Sequence, residues 1–201
     1  GNTLINFNSN GLNASVNCGA GLEESGTIKW VTSFPNDYVE DSCDYLLITH
    51  NSFYSDPVTK SEIESLAQHR ADFNGFNVVM TTTSAIYSAF PDSLDMDDYE
   101  EIRDLIKNTY ENGNAYHTYD GNLAYVNLFA DVELWDGTPA IPTWQEGYDV
   151  YFTQLTQQGG TYDIYPDLMI GRCSVDDTTQ VKNVLHKILN FMSNNCKFEV
   201  C

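Results

Sequence analysis

From residue 44 onward, short unbroken apolar runs alternate with longer amphipathic ones. That alternation narrows the fold more than any other feature of the chain. Tyr45-Leu46-Leu47-Ile48-Thr49 has no polar alternate, as expected of a parallel strand buried on both faces. The next segment, 57–74, reads as a helix. Pro57 opens it, Gly75 closes it, and Thr59 and Glu62 have capping-box spacing. Ile63, Leu66, Ala67 and Phe73 supply its apolar stripe. A strand follows at 76–82, with Val78, Val79 and Met80 at its centre, then a short helical turn at 84–90 stopped by Pro91. A second helix spans 97–111 and turns Tyr99, Ile102, Leu105, Ile106 and Tyr110 inward. Asp97, Asp98, Glu100 and Glu101 crowd its start, where the helix dipole favours negative charge. Residues 122–130 form a third strand, and Leu168-Met169-Ile170 a fourth. Ser174 and Asp177 again fit a capping box. Val181, Val184, Leu185, Ile188, Leu189 and Met192 then make the cleanest helical stripe in the chain. Strands joined by helices imply right-handed crossovers and a parallel sheet between helical layers. The expectation is an α/β fold, a small Rossmann- or flavodoxin-like three-layer sandwich of about four parallel strands.

The first forty residues read differently. Runs at 3–7, 12–17 and 27–31 are strand-like, and Asn/Gly/Ser clusters separate them. Residues 1–40 are therefore expected to be a β-rich segment, either appended strands or the end of a preceding domain. Residues 41–201 carry the α/β unit.

Charge narrows the partners. Nine Lys and Arg stand against 29 Asp and Glu, a formal charge of -20. Such a chain repels phosphate backbones and anionic lipid heads, which makes nucleic acid and a membrane surface poor partners for it. No apolar run approaches the length needed to cross a bilayer, so membrane insertion is not expected. The acidity serves solubility in the main, while the functional reading of it is Ca2+ held by oxygen ligands. The five cysteines, Cys18, Cys43, Cys173, Cys196 and Cys201, fit no zinc spacing, and their odd number leaves at least one thiol unpaired within the chain.

The familiar nucleotide-binding, hydrolase and zinc-protease motifs are absent. Open parallel sheets bind ligands outside the carboxyl ends of their strands. Here those ends carry His50, Asn51, Thr82, Asp131, Arg172 and Cys173. Cys173 lies between a strand and a helix N-terminus and is a formal nucleophile, with His50 or His117 as its base. The plainer reading is a small buried residue at a turn. Arg172, one of three arginines, is expected to pair with a local carboxylate such as Asp167 or Asp131.

The runs YVNLFADVE, IPTW, YDVYFTQL and YPDLMIGRCSV, with the helix TTQVKNVLHKIL, resemble the gingipain-like cysteine peptidases of family C25. DYLLITHNSF, FNVVMTT and AIYSAF are similar to that family too, so the resemblance covers 44–192. Ala130 stands where the family usually has Gly, and Cys173 where it has an aliphatic or aromatic residue. The resemblance implies only the first, non-catalytic half of a peptidase domain. The family's catalytic His, in a Gly-His-Gly-like turn, and its catalytic Cys, preceded by small apolar residues, fall past the last helix. No histidine here is flanked by glycine, so no catalytic residue carries over. The resemblance further implies secretion or surface display, a downstream catalytic half as partner, a protein or peptide substrate for the whole enzyme, and in some members Ca2+. The loop carboxylates to test for a cation are Asp131, Glu133, Asp136, Asp149 and Asp163. The alternative is a catalytically inactive extracellular module with the same fold.

Overall fold

The computed structural model describes residues 25–34, 42–89, 98–112, 123–132, 138–144, 148–158, 161–162 and 165–195. Five parallel strands form one sheet: β1 (Ile28–Val31), β2 (Tyr45–Thr49), β3 (Val78–Thr82), β4 (Tyr125–Phe129) and β7 (Met169–Cys173). Their order is β1-β3-β2-β4-β7. A two-residue pair, β5 (Gln157–Gln158) and β6 (Thr161–Tyr162), stands apart from it. The central strands β2 and β3 are buried at every position, which is why their sequences do not alternate. The terminal strands β1 and β7 are partly open.

Among the described residues, five helices flank the sheet: α1 (Asn51–Ser55), α2 (Pro57–Asn74), α3 (Thr83–Ala89), α4 (Asp98–Asn112) and α5 (Thr178–Asn195). The core lies on both faces of β2, β3 and β4. Leu47, Ile48, Phe53, Ile63, Ile102, Leu105, Leu128, Phe129, Val181 and Leu185 are all fully buried. Each such side chain contributes about 1.5–3 kcal/mol on leaving water. All six residues of the α5 stripe reach this core.

Two expectations for α2 are corrected. The helix is capped by Asp56, one residue before Pro57, and not by Thr59. The Asp56 carboxylate accepts from the Thr59 N–H at 2.9 Å and the Thr59 hydroxyl at 2.6 Å. Pro57 at the first helical position fixes the start, so Thr59 falls in the first turn as donor. Phe73 is 59% exposed and stacks on His69, while Ala71 takes the buried place. The stripe rotates away from Phe73 in the last turn before Gly75, whose φ of 73° ends the helix. The Thr59 hydroxyl and then its N–H hold the Asp56 carboxyl below its usual range. A depressed folded pKa stabilises above the unfolded value and is lost as pH falls through the folded one. The Thr59 amide resonance is therefore expected to keep its folded shift at neutral pH and to lose it only below pH 3.8. A midpoint above that value would contradict the cap.

The fifth strand comes from the N-terminal segment. Ile28–Val31 pairs in parallel with Val78–Thr81 as the edge strand of the main sheet. The other two strand-like runs, at 3–7 and 12–17, lie outside the described residues. β1 is held by side chains as well as by its ladder. Trp30 Nε1 donates to Glu64 at 2.7 Å, and Trp30 meets Tyr54 edge-on at 4.7 Å between centroids. Lys60 stands 4.4 Å over the Tyr54 ring. Gly26 starts this strand where the chain passes under Phe76, and a Cβ there would overlap the Phe76 carbonyl. Gly26→Ala should lift β1 off β3 and cost roughly 1–3 kcal/mol. A red shift of Trp30 emission ahead of global unfolding would report the loss.

Candidate functional site

The carboxyl ends of the strands are tied to one another. The Thr49 hydroxyl donates to the Phe129 carbonyl at 3.2 Å, joining the ends of β2 and β4. Asn51 Oδ1 accepts from the Ser84 N–H at 3.0 Å, joining the loops after β2 and β3. Asp131 N–H donates to the Val175 carbonyl, and Ile141 N–H donates to the Asp131 carbonyl at 2.8 Å. Thr82 Oγ1 accepts from the Ala85 N–H at the start of α3. His50 caps α1: its Nδ1 lies 2.9 Å from the Ser52 hydroxyl and accepts from the Ser52 N–H at 3.2 Å. Burial pushes the His50 pKa down, so the ring is neutral at pH 7.

Arg172 is the centre of this edge. Its side chain is 8% exposed. Nη2 and Nε donate to Asp149 at 2.7 Å and 2.9 Å, a two-pronged pair. Nη1 donates to the carbonyls of Ala130, Asp131 and Ile141 at 3.0, 3.3 and 2.9 Å. The expected partner was the carboxylate of Asp167 or Asp131. The structure assigns that role to Asp149, in a short 3-10 turn (Asp149–Phe152), and uses only the main chain of Asp131. The physical reason is that the other two carboxylates are engaged elsewhere: Asp131 Oδ1 accepts from the Val132 N–H, and the Asp167 carboxylate accepts from the Leu155 and Thr156 N–H groups.

Asp167 has a different task. Its carboxylate accepts from the N–H groups of Leu155 and Thr156 at 2.7 and 2.8 Å and from the Thr156 hydroxyl at 2.9 Å. Arg103 of α4, buried at 6% exposure, donates to the carbonyls of Tyr151 and Gln154. Its guanidinium also lies 4.7 Å over the Tyr151 ring, which packs against Tyr99 and Trp144. Segment 148–156 is thus clamped by Arg172, Arg103 and Asp167 at once. The Tyr-Pro-Asp-Leu-x-x-Gly-Arg wording supplies two of the three clamps. The spacing of Asp149 from Arg172 carries no local signal, which is why sequence reasoning missed the pair.

The formal nucleophile is poorly placed. Cys173 is the last residue of β7, and burial pushes its thiol pKa up, opposite to activation. Thr49, Phe129 and Cys173 are register partners on neighbouring strands, so the β2 end is two strand spacings, roughly 10 Å, from Cys173. His50 spends Nδ1 on its own helix cap. His117 lies outside the described residues. Cys43 is 1% exposed. Iodoacetamide at pH 8 should alkylate Cys173 at least about tenfold more slowly than free cysteine. Faster alkylation would show an activated thiol.

Of the five loop carboxylates, Glu133, Asp136 and Asp163 lie outside the described residues. Asp131 and Asp149 are brought together around Arg172. Asp131 Oδ1 accepts from the Val132 N–H at 2.7 Å, and both oxygens of Asp149 face the guanidinium. A cation at Asp149 would compete with Arg172 for them. Among the described residues no three His, Cys, Asp or Glu side chains cluster as metal ligands.

The edge therefore combines a two-pronged ion pair, tied strand ends and a thiol whose pKa burial pushes up. The family model for peptidase family C25 matches residues 38–199. The chain belongs to peptidase family C25. No curated protein and no solved structure gives a significant match. The C25 match takes in β2 through α5 and leaves β1 outside. Membership makes the chain a cysteine-peptidase relative. Among the described residues, no helix is long and apolar enough to cross a membrane.

Proposed function

We propose that this chain is the supporting, non-catalytic half of a secreted C25 cysteine endopeptidase. A His and a Cys elsewhere in the gene product carry out peptide-bond hydrolysis. The observation that carries the reading is the state of the strand ends. The Arg172–Asp149 pair is spent on loop geometry, burial pushes the Cys173 thiol pKa up, and the end of β2 before His50 is about two strand spacings from Cys173. A cysteine peptidase needs a thiolate, an adjacent base and oxyanion donors in one place. The half described here contributes a braced sheet whose strand ends are tied together. The partner is the catalytic half, and the substrate of the whole enzyme is a protein or peptide. Secretion agrees with the family and with a charge of -20. Appearance of the gene product in the culture medium tests it.

The deciding experiment compares the complete gene product with the 201-residue chain. The complete product should hydrolyse casein and the chain alone should not. A complete product without a His and Cys dyad, or without hydrolysis, favours the second reading. That reading is an inactive extracellular module of the same fold, and a partly buried Cys173 is equally at home in it.

A further inference from the structure

β7 ends the sheet with its outer edge open among the described residues. Met169, its first residue, is 67% exposed, and Phe191 in the last turns of α5 is 70% exposed. Between them Gly171 is exposed, and a Cβ there would meet nothing within 4 Å. The orientation of α5 puts Phe191 on this side. His186 bonds to Glu62 of α2 at 3.2 Å, while Val181 and Leu185 face the sheet. At about 100° per residue, Phe191 falls on the flank opposite His186, away from α2 and toward the free side of β7. Charge sets the strip apart. Neither Met169–Cys173 nor Thr178–Asn195 contains an Asp or Glu, although the chain holds 29 of them, and Lys187 lies on the same flank as Phe191. An apolar, mildly basic strip beside an unpaired strand edge is a docking surface rather than a solvated face.

Resting on the reading under Proposed function, we infer that this strip, the β7 edge with Met169 and Phe191, is where the catalytic half of the peptidase docks. A second copy is the poorer occupant, because two bodies of charge -20 repel. The partner surface is apolar with carboxylates at its rim, complementary to Lys187. The topology says something about delivery. α2 carries the chain from β2 to β3, toward β1, on the face that α5 shares. Right-handed crossovers on one face all step the same way. A parallel strand hung from α5 outside β7 would step the other way, a hand seen in roughly 2% of crossovers. The docked body thus meets the edge from outside and is not simply the next strand.

Hydrogen exchange read by mass spectrometry tests this on the complete gene product and on the 201-residue chain. In the complete product, peptides covering 168–173 and 187–195 should exchange at least tenfold more slowly, while those around Val58 and Phe73, also exposed, stay unchanged. The double variant Met169→Glu, Phe191→Glu should restore fast exchange there. Both side chains face solvent in the chain alone, so its melting temperature checks folding. Unchanged exchange in a complete product that bears the dyad and cuts casein overturns the docking surface and leaves the proposed function standing. Protection in the chain alone, with a dimer by light scattering, overturns it in favour of a second copy. A gene product without the dyad removes the proposed function and the inference with it.

Discussion

Arg172→Ala is expected to destabilise the fold by about 3 kcal/mol, the lower end of what removing one member of a buried pair costs. Asp149 is 22% exposed, so water screens part of the stranded charge, and that places the value at the lower end. The carbonyls of Ala130, Asp131 and Ile141 lose the Arg172 donor as well, although Asp131 keeps the Ile141 N–H. In a domain of this size the melting temperature should fall by roughly 6–12 °C. Arg172→Lys keeps the charge but not the fork that serves Asp149 and the loop carbonyls together, so it should recover less than half. The double variant Arg172→Ala, Asp149→Ala should be less damaging than the sum of the singles, because the second change removes the stranded carboxylate. Additive losses in a thermal melt series would mean the pair is incidental to the loop.

Phe129→Ala should cost about 4 kcal/mol, within the range for emptying a fully buried aromatic site. Phe129 is 0% exposed, ends β4, and shares its register position with Thr49 and Cys173. Its loss leaves a cavity beneath the strand ends that Arg172 and the Asp131 main chain hold in place. Urea denaturation should show a lower midpoint with an unchanged slope. The contrast is Phe73→Ala, which at 59% exposure should stay within about 0.5 kcal/mol. Equal losses for the two phenylalanines would contradict the packing described here.

That pair of phenylalanines also shows what could be read from the sequence. The strands at 45–49 and 78–82 and the helix at 57–74 were legible because their signals are local: apolar runs, a proline at the start and a glycine at the end. The α5 stripe was legible through its period. Phe73 was misread because periodicity alone does not say where a stripe turns off the core near a helix end. α1 was not legible, since five residues are too few for a period and its cap is an unusual one, His50. The edge strand β1 read as a strand, yet its place beside β3 depends on a parallel pairing 50 residues away. At the strand ends, the motif around Arg172 announced the family, while its partner Asp149 became visible only in three dimensions. The five loop acids were read as one set. The structure places two of them, and these meet around a guanidinium.

The proposed function places the chemistry of the whole enzyme outside the 201-residue chain. The most direct measurement treats the complete gene product with an irreversible thiol-directed peptidase inhibitor and maps the modified cysteine by mass spectrometry. The account predicts that casein hydrolysis stops and that the label sits on a cysteine beyond these residues, with Cys173 unmodified. Inhibition that tracks labelling of Cys173 would contradict it.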